Sequence, residues 1–80
     1  MISAINLTNR EIEIVEALSN GLSSDEISVK FYISVLTVNT HRRNIMQKVK
    51  ARSAAHLVRI CFEEGIIRNT RNQFLMVAEG

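Results

Sequence analysis

Apolar residues recur along the chain at helical spacing, and each apolar stretch is introduced by a hydroxyl residue. In Leu7-Thr8-Asn9-Arg10-Glu11-Ile12, Thr8 is placed to cap the free amides of a first turn, and Glu11 to reach back to the cap. Leu7 and Ile12 then hold the two positions of a hydrophobic staple. The device recurs in Leu22-Ser23-Ser24-Asp25-Glu26-Ile27, and in weaker form in Ile33-Ser34-Val35-Leu36-Thr37-Val38. This pattern predicts a first helix from Asn9 to Ser19 or Asn20, burying Ile12, Val15 and Leu18 and closed by Gly21. A short second helix is expected over Ser24 to Lys30, with Ile27 and Phe31 facing inward. A third should run from Val35 to about Val49 along the apolar line Val38, Ile45 and Val49. A fourth should start after Ser53, carry Leu57, Val58, Cys61 and Phe62, and end at Gly65. From Arg68 to Gly80 no period is visible, so residues 1–67 are expected to form one domain and 68–80 a loosely held tail. The fold class is all-α.

Composition narrows the function. With 80 residues, no proline and three glycines, the chain has room for one small helical domain and little for an enzyme pocket. The single cysteine, Cys61, excludes an internal disulfide framework, suits a reducing compartment, and reads as a small packed hydrophobe. No apolar run approaches the roughly 20 residues that span a bilayer, and the first residues lack the pattern of a signal peptide. A cytoplasmic module is expected. No nucleophile with a base partner, phosphate-binding glycine loop or metal-ligand cluster is visible, so neither catalysis nor a cofactor is expected.

Charge is distributed unevenly. Residues 1–29 carry a net −4, whereas residues 30–62 hold Lys30, Arg42, Arg43, Lys48, Lys50, Arg52 and Arg59 without a single acid. Such a block is the footprint of a polyanionic partner. A short helix, a tight turn and a longer helix form a helix-turn-helix, whose second helix lies in the DNA major groove. At 100° per residue, Leu36, Thr40, Arg43 and Gln47 fall opposite the core line of the third helix, with Asn39 and Lys50 at the edge. Arginine, asparagine and glutamine can pair with base edges, while Leu36 and Thr40 can meet thymine methyls. Arg43, Asn39 and Thr40 are the candidate base contacts. For Arg43 a phosphate contact is the alternative.

The stretch from Leu7 to Ile67 resembles the helix-turn-helix domain of the LuxR family of bacterial transcription regulators. The resemblance rests on Leu7-Thr8, Arg10-Glu11, Glu13, Gly21-Leu22-Ser23, Glu26-Ile27, Ile33-Ser34, Thr37-Val38, His41, Asn44-Ile45, Lys48-Val49, Arg52-Ser53 and Gly65-Ile66-Ile67. It implies a four-helix domain in which the third helix reads double-stranded DNA and the fourth pairs two subunits. Two positions depart from the family pattern: Asn39 stands where lysine or glutamate is common, and Ala54 where a basic residue is frequent. Position and resemblance together suggest Lys30, Thr37, His41 and Lys48 as phosphate contacts, with Gln47 added from the groove face. Thr37 also suits its own capped turn, and His41 also suits a structural role. Arg42 has two expected partners, Tyr32 and the glutamate-rich first helix. The acids Glu11, Glu13 and Glu16 read as a flank that keeps that helix off the phosphates and can pair with the basic block.

Leu57, Val58, Cys61 and Phe62 offer more apolar surface than one short helix buries, and a second copy across a two-fold axis would cover it. The rival cover is the tail, with Phe74, Leu75, Met76 and Val77. The expected partner is therefore an inverted-repeat operator bound by a homodimer, pairing on DNA if not before, with about five phosphates neutralised per subunit. RNA polymerase is a further possible partner, and the reading from another class is a helical module that binds polymerase or another regulator. Either a small stand-alone regulator or a piece of a longer one would fit the chain.

Overall fold

The computed structural model describes residues 5–68 and, among them, four helices and no strand: α1 (Asn9–Ser19), α2 (Ser24–Phe31), α3 (Val35–Val49) and α4 (Ala54–Glu63). The tail from residue 69 onward lies outside the described residues, and so do Phe74, Leu75, Met76 and Val77. None of the four helices is long and apolar enough to cross a membrane.

Each helix starts on a hydroxyl cap. The Thr8 Oγ1 accepts from the Glu11 N–H at 3.1 Å, and the Thr8 N–H donates to Glu11 Oε1 at 2.9 Å. Ser23 and Glu26 repeat the exchange at 3.2 and 2.8 Å. Ser34 Oγ accepts from the Thr37 N–H at 3.0 Å, and Ser53 Oγ from the His56 N–H at 3.1 Å. At α4 an imidazole reaches back one residue further than the glutamates do: His56 Nδ1 accepts from the N–H of Arg52, the residue before the cap, at 3.0 Å. Sequence reading assigned His56 no role, because histidine at the third helical position is not a familiar capping partner.

The helices also share one way of ending. A reversing bond runs from the second or third residue past each helix to a carbonyl five residues back. The pairs are Leu22 to Ala17, Ile33 to Ser28, Ala51 to Met46 and Ile66 to Cys61. This closure demands a left-handed residue just before the reversing N–H. Gly21 (φ 86°) and Gly65 (φ 74°) supply it freely, but Tyr32 (φ 57°) and Lys50 (φ 61°) do so against their own Cβ, at about 1 kcal/mol each. Helix α2 therefore runs one residue beyond the expected Lys30, to Phe31. No glycine marks that stop.

Helix α1 packs on both α3 and α4, and α2 packs on α3. The core consists of Ile14, Val15, Ala17, Ile27, Val38, Ile45, Val49, Leu57, Cys61 and Ile67. The α3 line Val38, Ile45 and Val49 is buried as expected. On α1 the expectation needs correction: Ile12 and Leu18 are only half-buried, while Ile14 is fully enclosed. Two packing partners bury a wide arc of α1, which takes in Glu11, Ile14, Val15 and Ala17. Ile12 stands at the margin of that arc and Leu18 in the last turn, so both keep some exposure.

Candidate nucleic-acid interface

Helix α3 is two-faced. With Val38, Ile45 and Val49 turned into the core, Leu36, Asn39, Thr40, Arg43, Gln47 and Lys50 are all exposed. The Thr40 hydroxyl donates back to the Leu36 carbonyl at 3.0 Å, which fixes its rotamer. Thr37 is also exposed, and its hydroxyl accepts from Ser34 Oγ at 2.9 Å. Lys30 is exposed at the end of α2, and His41 is half-buried. Asn39 is not free-standing. Its Oδ1 accepts from Ser24 Oγ at 2.9 Å, and that same oxygen accepts from Arg42 Nη1 at 2.7 Å. Arg42 thus reaches neither Tyr32 nor the acids of α1; it ties α3 to the first turn of α2.

Lys48 has a partner that the sequence reading did not assign to it by name. Its ammonium lies 2.8 and 3.0 Å from the two carboxylate oxygens of Glu11, with the lysine side chain still 42% exposed. Glu11 thus pairs with the basic block, as one of the two readings of the α1 acids had it, and is only 4% exposed. Burial pushes its carboxyl up, but the Lys48 ammonium and the Thr8 hydrogen bonds outweigh that and hold it below its ordinary value. Glu13 does stay at the surface, beside Arg10 at 3.4 Å. Of the seven cations in the acid-free block, Arg59 is paired with Glu63 at 3.1 Å. Lys30, Arg43, Lys50 and Arg52 have no carboxylate partner among the described residues.

The model of the luxR family of bacterial regulatory proteins matches residues 5–61, which take in all of α1, α2 and α3 and most of α4. The chain belongs to the LuxR family. It therefore carries a helix-turn-helix domain of the kind found in DNA-binding transcription regulators. It is 41% identical over 59 residues to the transcriptional regulatory protein FixJ of Rhizobium meliloti, covering 74% of this chain and 29% of that protein. Against the response regulatory protein YgeK of Escherichia coli, identity is 38% over 60 residues, covering 75% of this chain and 41% of the relative. The oxygen regulatory protein NreC of Staphylococcus carnosus is 34% identical over 61 residues, covering 76% of this chain and 28% of the relative. The chain thus spans less than half the length of these relatives.

In this LuxR-family domain α4 presents two stripes instead of the single apolar surface expected. Leu57 and Cys61 have no exposed surface and belong to the core of one subunit, which removes them from any surface between subunits. Their burial follows from spacing: residues four apart share a helix face, and that face meets α1 and α3. Burial also pushes the Cys61 thiol up, as suits an inert packed residue. Val58 and Phe62 are half-buried on the adjoining stripe, with Ala55 and Arg59 exposed beside them. Val58 and Ala55 border a shallow groove with Leu18, Leu22, Ala54 and Arg42. Ala54 lines this groove, and Ser53 caps the helix in front of it.

Proposed function

We propose that this chain binds double-stranded DNA sequence-specifically by laying α3 in the major groove, and that it regulates transcription by doing so. The observation that carries the reading is the exposed, acid-free face of Asn39, Thr40, Arg43 and Gln47, opposite the buried line of the same helix. Arg43, Asn39 and Thr40 face bases in this reading. Thr37, His41 and Gln47 join the cations Lys30, Lys50 and Arg52, none of which has a carboxylate partner among the described residues, as the pool from which phosphate contacts are drawn. Three cations on phosphates imply a log–log salt slope of about −3 per subunit. Titrating a labelled duplex at increasing salt measures it. Binding insensitive to salt would remove the polyanion from the reading.

Pairing of two subunits is proposed through the outer stripe of α4, Ala55, Val58, Arg59 and Phe62, over an inverted-repeat operator. One recognition helix touches few base pairs, and doubling the contacts raises discrimination among competing sites. Ala55 is the residue to change, because it is exposed in the single subunit whereas Val58 packs against the core. Ala55→Glu places two like charges near the two-fold axis. Affinity for a full repeat is expected to fall about tenfold, with half-site binding and helical content unchanged. Full cooperativity in the variant would move the interface elsewhere.

The runner-up is a module that grips a protein such as polymerase or another regulator. It draws on Val29, Tyr32 and Leu36, which are 75%, 94% and 74% exposed around the α2–α3 turn. Val29→Ser with Tyr32→Ser separates the readings, because neither residue lies on α3. Weakened partner capture with intact duplex binding would favour the module.

A further inference from the structure

The contact between Ser24 and Asn39 joins residues 15 apart in sequence, and it has a direction. A guanidinium has only donors, so Ser24 Oγ must accept from Arg42 Nη1 at 2.7 Å. A serine hydroxyl carries one proton, and the acceptor 2.9 Å away is the Asn39 amide. The amide turns its oxygen to Ser24, and that oxygen is the one protein acceptor of the Ser24 proton among the described residues; an inward NH2 group would leave the proton without one. Both protons on Asn39 Nδ2 then remain without a partner among the described residues, on an exposed side chain of the outer face of α3.

We propose that Ser24, held by Arg42, is the positioning residue that fixes the orientation of the Asn39 amide, so that Asn39 offers donors to a base. This rests on the reading of α3 as the groove helix. In the major groove guanine offers N7 and O6, adenine N7 and thymine O4 as acceptors, whereas cytosine offers only its amino donor. A locked amide therefore accepts guanine, adenine or thymine at the contacted base and disfavours cytosine. An unlocked amide flips its oxygen outward and accepts from the cytosine amino group.

The test selects duplexes from a random-sequence pool with the parent chain and with Ser24→Ala, Ser24→Thr and Asn39→Ala, and sequences the survivors. The contacted base is the position whose preference Asn39→Ala abolishes. There the parent should disfavour cytosine about tenfold, and Ser24→Ala should bring that ratio near one. Preferences at other positions, thermal midpoint and affinity for unselected duplex should stay as in the parent. Ser24→Thr keeps a hydroxyl and should keep the preference. A merely structural serine would lower the midpoint or blur all positions alike, and either result overturns the proposal. So does Ser24→Ala with the discrimination against cytosine intact. If Asn39→Ala moves no position while Arg43→Ala moves one, Asn39 is not a reader and the proposal falls while the groove reading stands. If the parent enriches no sequence at all, both fall.

Discussion

Replacing Lys48 with alanine is expected to lower the unfolding free energy by about 2 kcal/mol, although its ammonium sits at the rim of the domain. The substitution strands Glu11, whose side chain is 6% exposed against 42% for Lys48. Breaking a fully buried pair costs about 3–5 kcal/mol because one charge is left without compensation. Partial exposure of the lysine and the Thr8 N–H that remains on Glu11 reduce that figure. The same pair predicts acid sensitivity, and the direction follows from the depressed carboxyl. A carboxylate whose folded value lies below its unfolded one, near 4.5, contributes stability that is fully present above 4.5. That contribution is lost as pH falls through the lower folded value. Glu11→Gln should accordingly show a flatter loss of stability below about pH 4.5 than the parent. Chemical denaturation of the three chains across this range checks both statements. If Lys48→Ala unfolds at the parental denaturant midpoint yet weakens binding to every duplex, the lysine serves phosphate after all.

Arg43→Ala is expected to reduce affinity for the preferred duplex by 1–3 kcal/mol, about 5- to 150-fold, and to relax preference at one base pair. Arg43 is exposed and has no carboxylate partner among the described residues, so the substitution leaves the fold unchanged. An arginine on the outer face of a groove helix can meet guanine O6 and N7 with two parallel bonds, a pairing alanine cannot replace. Competition between the preferred duplex and a scrambled one measures the effect. Equal losses for both would make Arg43 a phosphate contact.

Much of the domain was legible in residue order. Helix starts are local events, settled by side chains within three or four residues of the backbone they bind. Thr8, Ser23, Ser34 and Ser53 could be recognised for that reason. The two faces of α3 follow from a period of 3.6 residues acting on apolar and polar positions, which alone separates Val38, Ile45 and Val49 from Arg43 and Gln47. The end of α3 at Val49 was legible, but the left-handed backbone that Tyr32 and Lys50 adopt was not, since neither residue favours it.

The candidate site divides along the same line. The sequence by itself determined which residues could reach a groove, because the acid-free block and the helical period are properties of the chain order. It could not say which of those residues are already engaged. Lys48 and Glu11 are 37 residues apart, Arg42 and Ser24 are 18, and Ser24 and Asn39 are 15. Pairings of that kind arise only where helices cross, and a side chain gives no local sign of its distant partner. Leu57 and Val58 make the same point from the apolar side. They are neighbours of similar character, yet one is enclosed at 0% exposure and the other stands at the rim. A step of 100° along α4 decides which of them meets α1 and α3, and only the packing of the helices fixes where that face points.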